Sequence, residues 1–143
     1  MLRELTWDWS GSMAKILLTE DDDAVRSFVS RALELDGHTL VLADDGEDGF
    51  DKLREHDGVF DLMLTDIKMP FMDGIELAKS AAQFYPDLKI LFMTGFADQR
   101  ERAEGLEAIV VDVVPKPFTL AQIKEAVRDA LSADHPAELL KAS

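Results

Sequence analysis

The chain is 143 residues long, 47% hydrophobic, and carries a formal charge of −14. That length holds one ordinary core and little beside it, and the excess of carboxylates repels nucleic-acid phosphates and anionic lipid, so the expected partners are proteins or cations. The absence of Cys excludes disulfide frameworks, thiolate catalysis and Cys-based zinc sites, and fits a cytoplasmic setting.

Residues 1–12 contain no apolar run long enough for a signal peptide or a spanning helix, so membrane insertion is not expected. Trp7 and Trp9 stand there among polar residues. The segment reads as a disordered arm or an upstream extension, with a Trp-anchored docking peptide as the alternative. The folded domain is expected over residues 13–132.

From Lys15 onward, short apolar runs alternate with stretches of helical period, the pattern of a parallel sheet covered on both faces. The runs Ile16-Leu17-Leu18, Thr39-Leu40-Val41-Leu42, Leu62-Met63-Leu64, Ile90-Leu91-Phe92 and Val110-Val111-Asp112-Val113-Val114 are too short for helices and read as strands one to five. After strand one, Val25, Phe28, Val29, Ala32 and Leu33 form one stripe behind the potential caps Asp22 and Asp23, and Asp36-Gly37 ends that helix. A second helix is expected over about Glu47 to Glu55, weakened by Gly49. The third runs from about Gly74 to Tyr85, capped by Asp73 and stopped before Pro86, with Ile75, Leu77, Ala78, Ala81 and Phe84 available for packing.

Asp98 can cap a short, charged fourth helix over Gln99 to Glu104, and the capping box Thr119/Gln122 opens a last one carrying Leu120, Ile123, Val127 and Leu131. Residues 133–143 form a short tail broken by Pro136, too short for a helix-turn-helix or a catalytic domain, so no output domain is expected. His38, His56 and His135 lack metal-ligand spacing and are expected to be solvated.

Ligands of an open parallel sheet bind beyond the carboxyl ends of its strands. Strand one is followed by Glu20, Asp21, Asp22 and Asp23, strand three by Thr65-Asp66, strand four by Thr94-Gly95 and strand five by Pro115-Lys116-Pro117. If the strand order is 2-1-3-4-5, Glu20, Asp21 and Asp66 converge, and Thr94 and Lys116 approach from the other side. Carboxylates so close together need a counter-charge, and a hard divalent cation is the natural one, with Mg²⁺ the simplest candidate. Asp66 is the candidate nucleophile for phosphoryl transfer, a reaction served by a metal, an ammonium and a hydroxyl acting on the transferred oxygens. The competing explanation makes each carboxylate a surface solubiliser or a helix cap, the role expected of Asp22, Asp23 and Asp73.

The motifs Ile16-Leu17-Leu18-Thr19-Glu20-Asp21-Asp22, Leu64-Thr65-Asp66-Ile67-Lys68-Met69-Pro70-Phe71-Met72-Asp73-Gly74, Thr94-Gly95 and Lys116-Pro117-Phe118 resemble those of response-regulator receiver domains. The resemblance spans Lys15 to about Ser132. It implies a flavodoxin-like, doubly wound (βα)5 fold with a five-stranded parallel sheet in the order 2-1-3-4-5. It also implies that Asp66 is the phosphoacceptor, that Glu20, Asp21, Asp66 and the Lys68 backbone carbonyl hold Mg²⁺, that Thr94 grips the phosphoryl group and Lys116 neutralises it, and that Lys116-Pro117 is cis.

Such a protein is not an enzyme in the turnover sense but catalyses its own phosphorylation and dephosphorylation. The implied phosphodonor is a histidine kinase or histidine phosphotransferase. The run from Ile90 through Arg100 is similar to single-domain regulators that act as adaptors for the ClpXP protease. Two alternatives remain: a shuttle passing phosphoryl groups to a histidine phosphotransferase and, more remotely, an Asp-nucleophile phosphatase, which would want a carboxylate where Lys68 stands. Glu20 stands where many receivers have Asp, and Val113 where many have Tyr or Phe. The second departure disables the usual aromatic switch and points to output through Thr94 to Arg102.

Overall fold

The computed structural model describes residues 14–95 and 105–136. The expected fourth helix over Gln99–Glu104 and the arm at residues 1–12 therefore lie outside the described residues. In chain order the elements are β1 (Lys15–Thr19), α1 (Asp23–Leu35), β2 (Thr39–Ala43), α2 (Gly46–Glu55), β3 (Leu62–Asp66), α3 (Gly74–Phe84), β4 (Ile90–Thr94), β5 (Asp112–Pro115) and α4 (Leu120–Ser132). The strands form a five-stranded parallel sheet in the order β2-β1-β3-β4-β5, which is the flavodoxin-like order expected above.

Alternation along the central strands divides the core into two layers. Leu17, Met63 and Phe92 pack with Leu53, Leu77 and Ala78 of α2 and α3, whereas Ile16, Leu18, Leu64 and Met93 pack with Val29, Leu33, Ile123 and Val127 of α1 and α4. Both faces of the sheet are thus dry, which is why these strands read as unbroken apolar runs rather than as alternating ones. Each fully buried Leu contributes roughly 1.5–3 kcal/mol of transfer free energy.

The helix starts follow local chemistry. Asp22 accepts from the N–H groups of Ala24 and Val25, and capping boxes open α3 (Asp73/Glu76) and α4 (Thr119/Gln122). Asp45 caps α2 by accepting from the Asp48 N–H. Strand five begins at Asp112 rather than Val110, because Val110 is the last turn of the preceding segment, its N–H bonded to the Leu106 carbonyl. Asp23 is the first helical residue and pairs with Arg26 instead of capping.

The histidines depart from expectation. His38 and His135 are buried rather than solvated: the Ala14 N–H donates to His38 Nδ1 at 3.3 Å, and His135 Nε2 lies 3.0 Å from the Leu88 carbonyl oxygen. Each fills a place against backbone at the end of the sheet away from the carboxyl ends, and solvated loops were the wrong expectation for them. Phe84, expected to pack, is mostly exposed, although its ring meets Phe50 edge-on.

Asp36, at the C-terminus of α1, ties that helix to α4. Its carboxylate accepts from Arg128 Nε at 2.9 Å and Nη2 at 2.8 Å, with Lys124 at 3.6 Å. Burial works to raise the Asp36 pKa, but the Arg128 hydrogen bonds and the neighbouring positive charges outweigh it and hold the group below its ordinary 3.8. A depressed carboxyl pKa stabilises the fold above the ordinary value and ceases to do so as pH falls through the folded value. Arg128→Ala is therefore expected to melt at lower temperature than wild type at neutral pH, and the gap should close as pH drops below 3.8; thermal melts across that range check it.

Candidate functional site

In-register parallel pairing brings the strand ends level. Thr19 pairs with Thr65, Asp66 with Met93, and Thr94 with Pro115, so the residues after β1 and β5 and the last residues of β3 and β4 meet along one edge of the sheet. Glu20, Asp66 and Thr94 are buried there, and Asp21 is exposed beside them.

Carboxylate oxygens of Glu20, Asp21 and Asp66 all lie within 4.8 Å of one another. The Lys116 ammonium reaches into this group, 2.8 Å from Glu20 Oε1 and 3.1 Å from Asp66 Oδ2. Burial disfavours a charged Lys116, but its hydrogen bond to Glu20 and the charges of Asp66 and Glu20 prevail and raise its pKa above the ordinary value. Burial, then the hydrogen bond and like charge of Glu20, raise the Asp21 carboxyl above the ordinary carboxylate value. One ammonium for three carboxylates leaves the cluster short of positive charge.

The surrounding backbone holds these groups in place. Asp66 Oδ1 accepts from the N–H of Ile67 at 2.8 Å, and the Thr65 hydroxyl donates to the Asp66 carbonyl at 2.9 Å. The Lys116 N–H donates to the Thr94 carbonyl at 2.7 Å, locking the loop after β5 onto the end of β4, and Lys116-Pro117 is cis as the resemblance implied. Arg26, one turn into α1, donates to the Glu20 carbonyl at 2.7 Å. Nothing in its spacing along α1 marked that contact.

Lys68 follows Asp66 by two positions in the loop before α3, with its side chain exposed. Gly74 closes this loop: its N–H donates to the Ile67 carbonyl at 2.7 Å, and a Cβ placed on it would lie 2.1 Å from the Asp66 carbonyl oxygen. Only a residue without a side chain fits. Phe71 takes a positive φ of 68° in the same loop and is 82% exposed. Val113 is half-buried against the α2–α3 layer and has no ring to turn.

Response regulator receiver domains, as a family, match this chain over residues 16–128. The chain belongs to that family. This receiver is similar to the "Response regulator receiver protein CpdR" of Brucella abortus, 41% identical over 121 residues that cover 85% of this chain and 99% of CpdR. It is also similar to the sensor kinase CckA of the same organism, 35% identical over 128 residues, which are 90% of this chain and 13% of the kinase. The crystal structure of the receiver domain from the hybrid histidine kinase CckA superposes with a TM-score of 0.69 at 32% identity, covering 82% of this chain and 99% of that one. Among the described residues, no helix is long and apolar enough to cross a membrane.

The close approach of Gly74 to Asp66 makes a sharp test of the site's backbone. Gly74→Ala must push the loop off the end of β3, and is expected to destabilise the receiver by about 2 kcal/mol or more in urea unfolding. A change within a few tenths of a kcal/mol would show that the loop yields freely.

Proposed function

We propose that this receiver accepts a phosphoryl group on Asp66 from a phosphohistidine and uses the result to control a protein partner. The observation that carries this reading is the Lys116 ammonium shared by Glu20 and Asp66 inside a cluster of three carboxylates. Oxygen donors at these separations suit a small, hard dication. Glu20, Asp21 and Asp66, with the Lys68 carbonyl, are the proposed Mg²⁺ ligands. When bound, Mg²⁺ supplies positive charge to the oxygens of the transferred group.

The chain's own residues do the rest. Asp66 Oδ2 attacks phosphorus as the P–N bond to the donor imidazole breaks, and the leaving nitrogen keeps the electron pair and takes up a proton. The Thr94 hydroxyl is proposed to donate to a phosphoryl oxygen, and Lys116 to move its ammonium from Asp66 to another. Since the carboxylate that Lys116 neutralised becomes an acyl phosphate, a mixed anhydride, the ammonium loses one anionic partner and gains a more highly charged one in the phosphoryl oxygens. Hydrolysis of the acyl phosphate by water returns the carboxylate, so there is self-catalysed phosphorylation and dephosphorylation but no separate substrate.

Similarity to CpdR over nearly that protein's whole length supports a single-domain role, and we propose a CpdR-like adaptor for the ClpXP protease in a cytoplasmic setting. Val113 in place of an aromatic leaves output to the Thr94–Arg102 stretch, of which residues 96–102 lie outside the described part. The similarity to a receiver from a hybrid kinase favours a second reading, a shuttle delivering phosphoryl groups to a histidine phosphotransferase.

Incubation with acetyl phosphate and Mg²⁺ is expected to add one phosphoryl group to wild type and none to Asp66→Ala, read by intact mass. Immobilised receiver should then retain ClpX in one phosphorylation state only. Retention of histidine phosphotransferases alone, in both states, would favour the shuttle.

A further inference from the structure

At the amino edge of the sheet, the end away from Asp66, an open cavity of about 220 Å³ is lined by Gly58, Phe60, Tyr85, Pro86, Asp87 and Leu88. Asp87 is the one charged residue among them. The Tyr85 ring lies directly on Gly58, where a Cβ would come within 2.2 Å of it. A dry cavity of roughly 150 Å³ admits a benzene-sized group, so this one has room for one or two aliphatic side chains.

The chain beyond α4 is steered towards this cavity. Lys89 Nζ donates to the Leu131 carbonyl at 2.7 Å, and the buried His135 places Nε2 3.0 Å from the carbonyl oxygen of Leu88, a lining residue. α4 packs in the layer of α1, whereas Leu88 belongs to the layer of α2 and α3, so by His135 the chain has reached the other face of the sheet. Pro136 stands one residue past that contact. Residues 137–143 follow, and Leu139 and Leu140 are their only large apolar side chains. Three residues of extended chain span about 10 Å, which brings Leu139 within reach of the cavity. The other end of the domain is directed elsewhere: the Ala14 N–H donates to His38 Nδ1 and its carbonyl accepts from the Thr39 N–H, so the chain enters β1 on its β2 side. The cavity lies on the opposite side, where Phe60 precedes β3 and Leu88 precedes β4.

We propose that this cavity is the docking site of the chain's own segment 137–143, with Leu139 and Leu140 entering between Phe60 and Tyr85 and Lys141 meeting Asp87 at the rim. Burial of the two Leu side chains drives the contact. The Lys141–Asp87 pair, exposed to water, sets its direction more than its strength. The pole opposite the phosphoacceptor is then closed by the chain itself and is not a surface for a partner protein. His135 acts as the tether, since its bond to the Leu88 carbonyl keeps the segment next to the cavity and lowers the entropy lost on docking.

Tyr85 is the only tyrosine in the chain, so the full-length protein made with 3-fluorotyrosine gives one ¹⁹F resonance that reports on the cavity. That resonance is expected to move in the double variant Leu139→Asn/Leu140→Asn and to stay in place in Trp7→Asn/Trp9→Asn, with circular dichroism confirming that each is folded. A resonance unmoved by the Leu changes, or moved only by the Trp changes, overturns the proposal; the second result would assign the cavity to residues 1–12 instead. The reverse side is read from amide exchange. The N–H groups of residues 139–141 should exchange roughly ten-fold or more slowly in wild type than in the Leu double variant, and Tyr85→Ala should remove the protection from the other side of the contact. Exchange at the rate of a free chain in wild type, or protection untouched by Tyr85→Ala, contradicts docking at this cavity.

Discussion

The site is organised around a shortage of positive charge. Three carboxylates converge where the parallel sheet ends, and one ammonium, 2.8 and 3.1 Å from two of them, is the nearest compensation among the described residues. A dication joining the cluster relieves that shortage, and a phosphoryl group on Asp66, which carries more negative charge than the carboxylate it replaces, deepens the demand for one. The fold serves this arrangement directly. Dry faces on both sides hold the central strands in register, and register sets the level at which Glu20, Asp66, Thr94 and Lys116 meet.

Much of this was legible in the sequence because the signals were strong and local. Apolar runs of strand length, Asp73 and Thr119 as caps, and polar residues placed at strand ends together specify a doubly wound sheet and its ligand edge. The motif around Asp66 carried the rest. What stayed hidden depends on contacts between distant segments. No periodicity places Arg26 against the Glu20 carbonyl or joins Asp36 to Arg128 across 92 positions. His38 and His135 look like ordinary polar residues, yet backbone partners in the folded chain bury them. Val110 reads as strand because it is β-branched, but the Leu106 carbonyl claims its N–H before the ladder begins.

The two departures from common receiver sequences lie in different places, Glu20 in the buried carboxylate cluster and Val113 on β5. Glu20 keeps the charge of the shorter Asp and meets the Lys116 ammonium at 2.8 Å. Val113 is a half-buried aliphatic side chain with no ring to turn, and the proposed route of output away from this position rests on that.

The central claim is that Asp66, among three close carboxylates, is the one that takes the phosphoryl group. Borohydride reduction of the acyl phosphate after reaction with a phosphodonor and Mg²⁺ converts the modified aspartate to homoserine, and peptide mass spectrometry locates it. The account predicts conversion at position 66 alone. Conversion at Asp21, reduction of Glu20, or no modification at any of the three with Mg²⁺ present would contradict it.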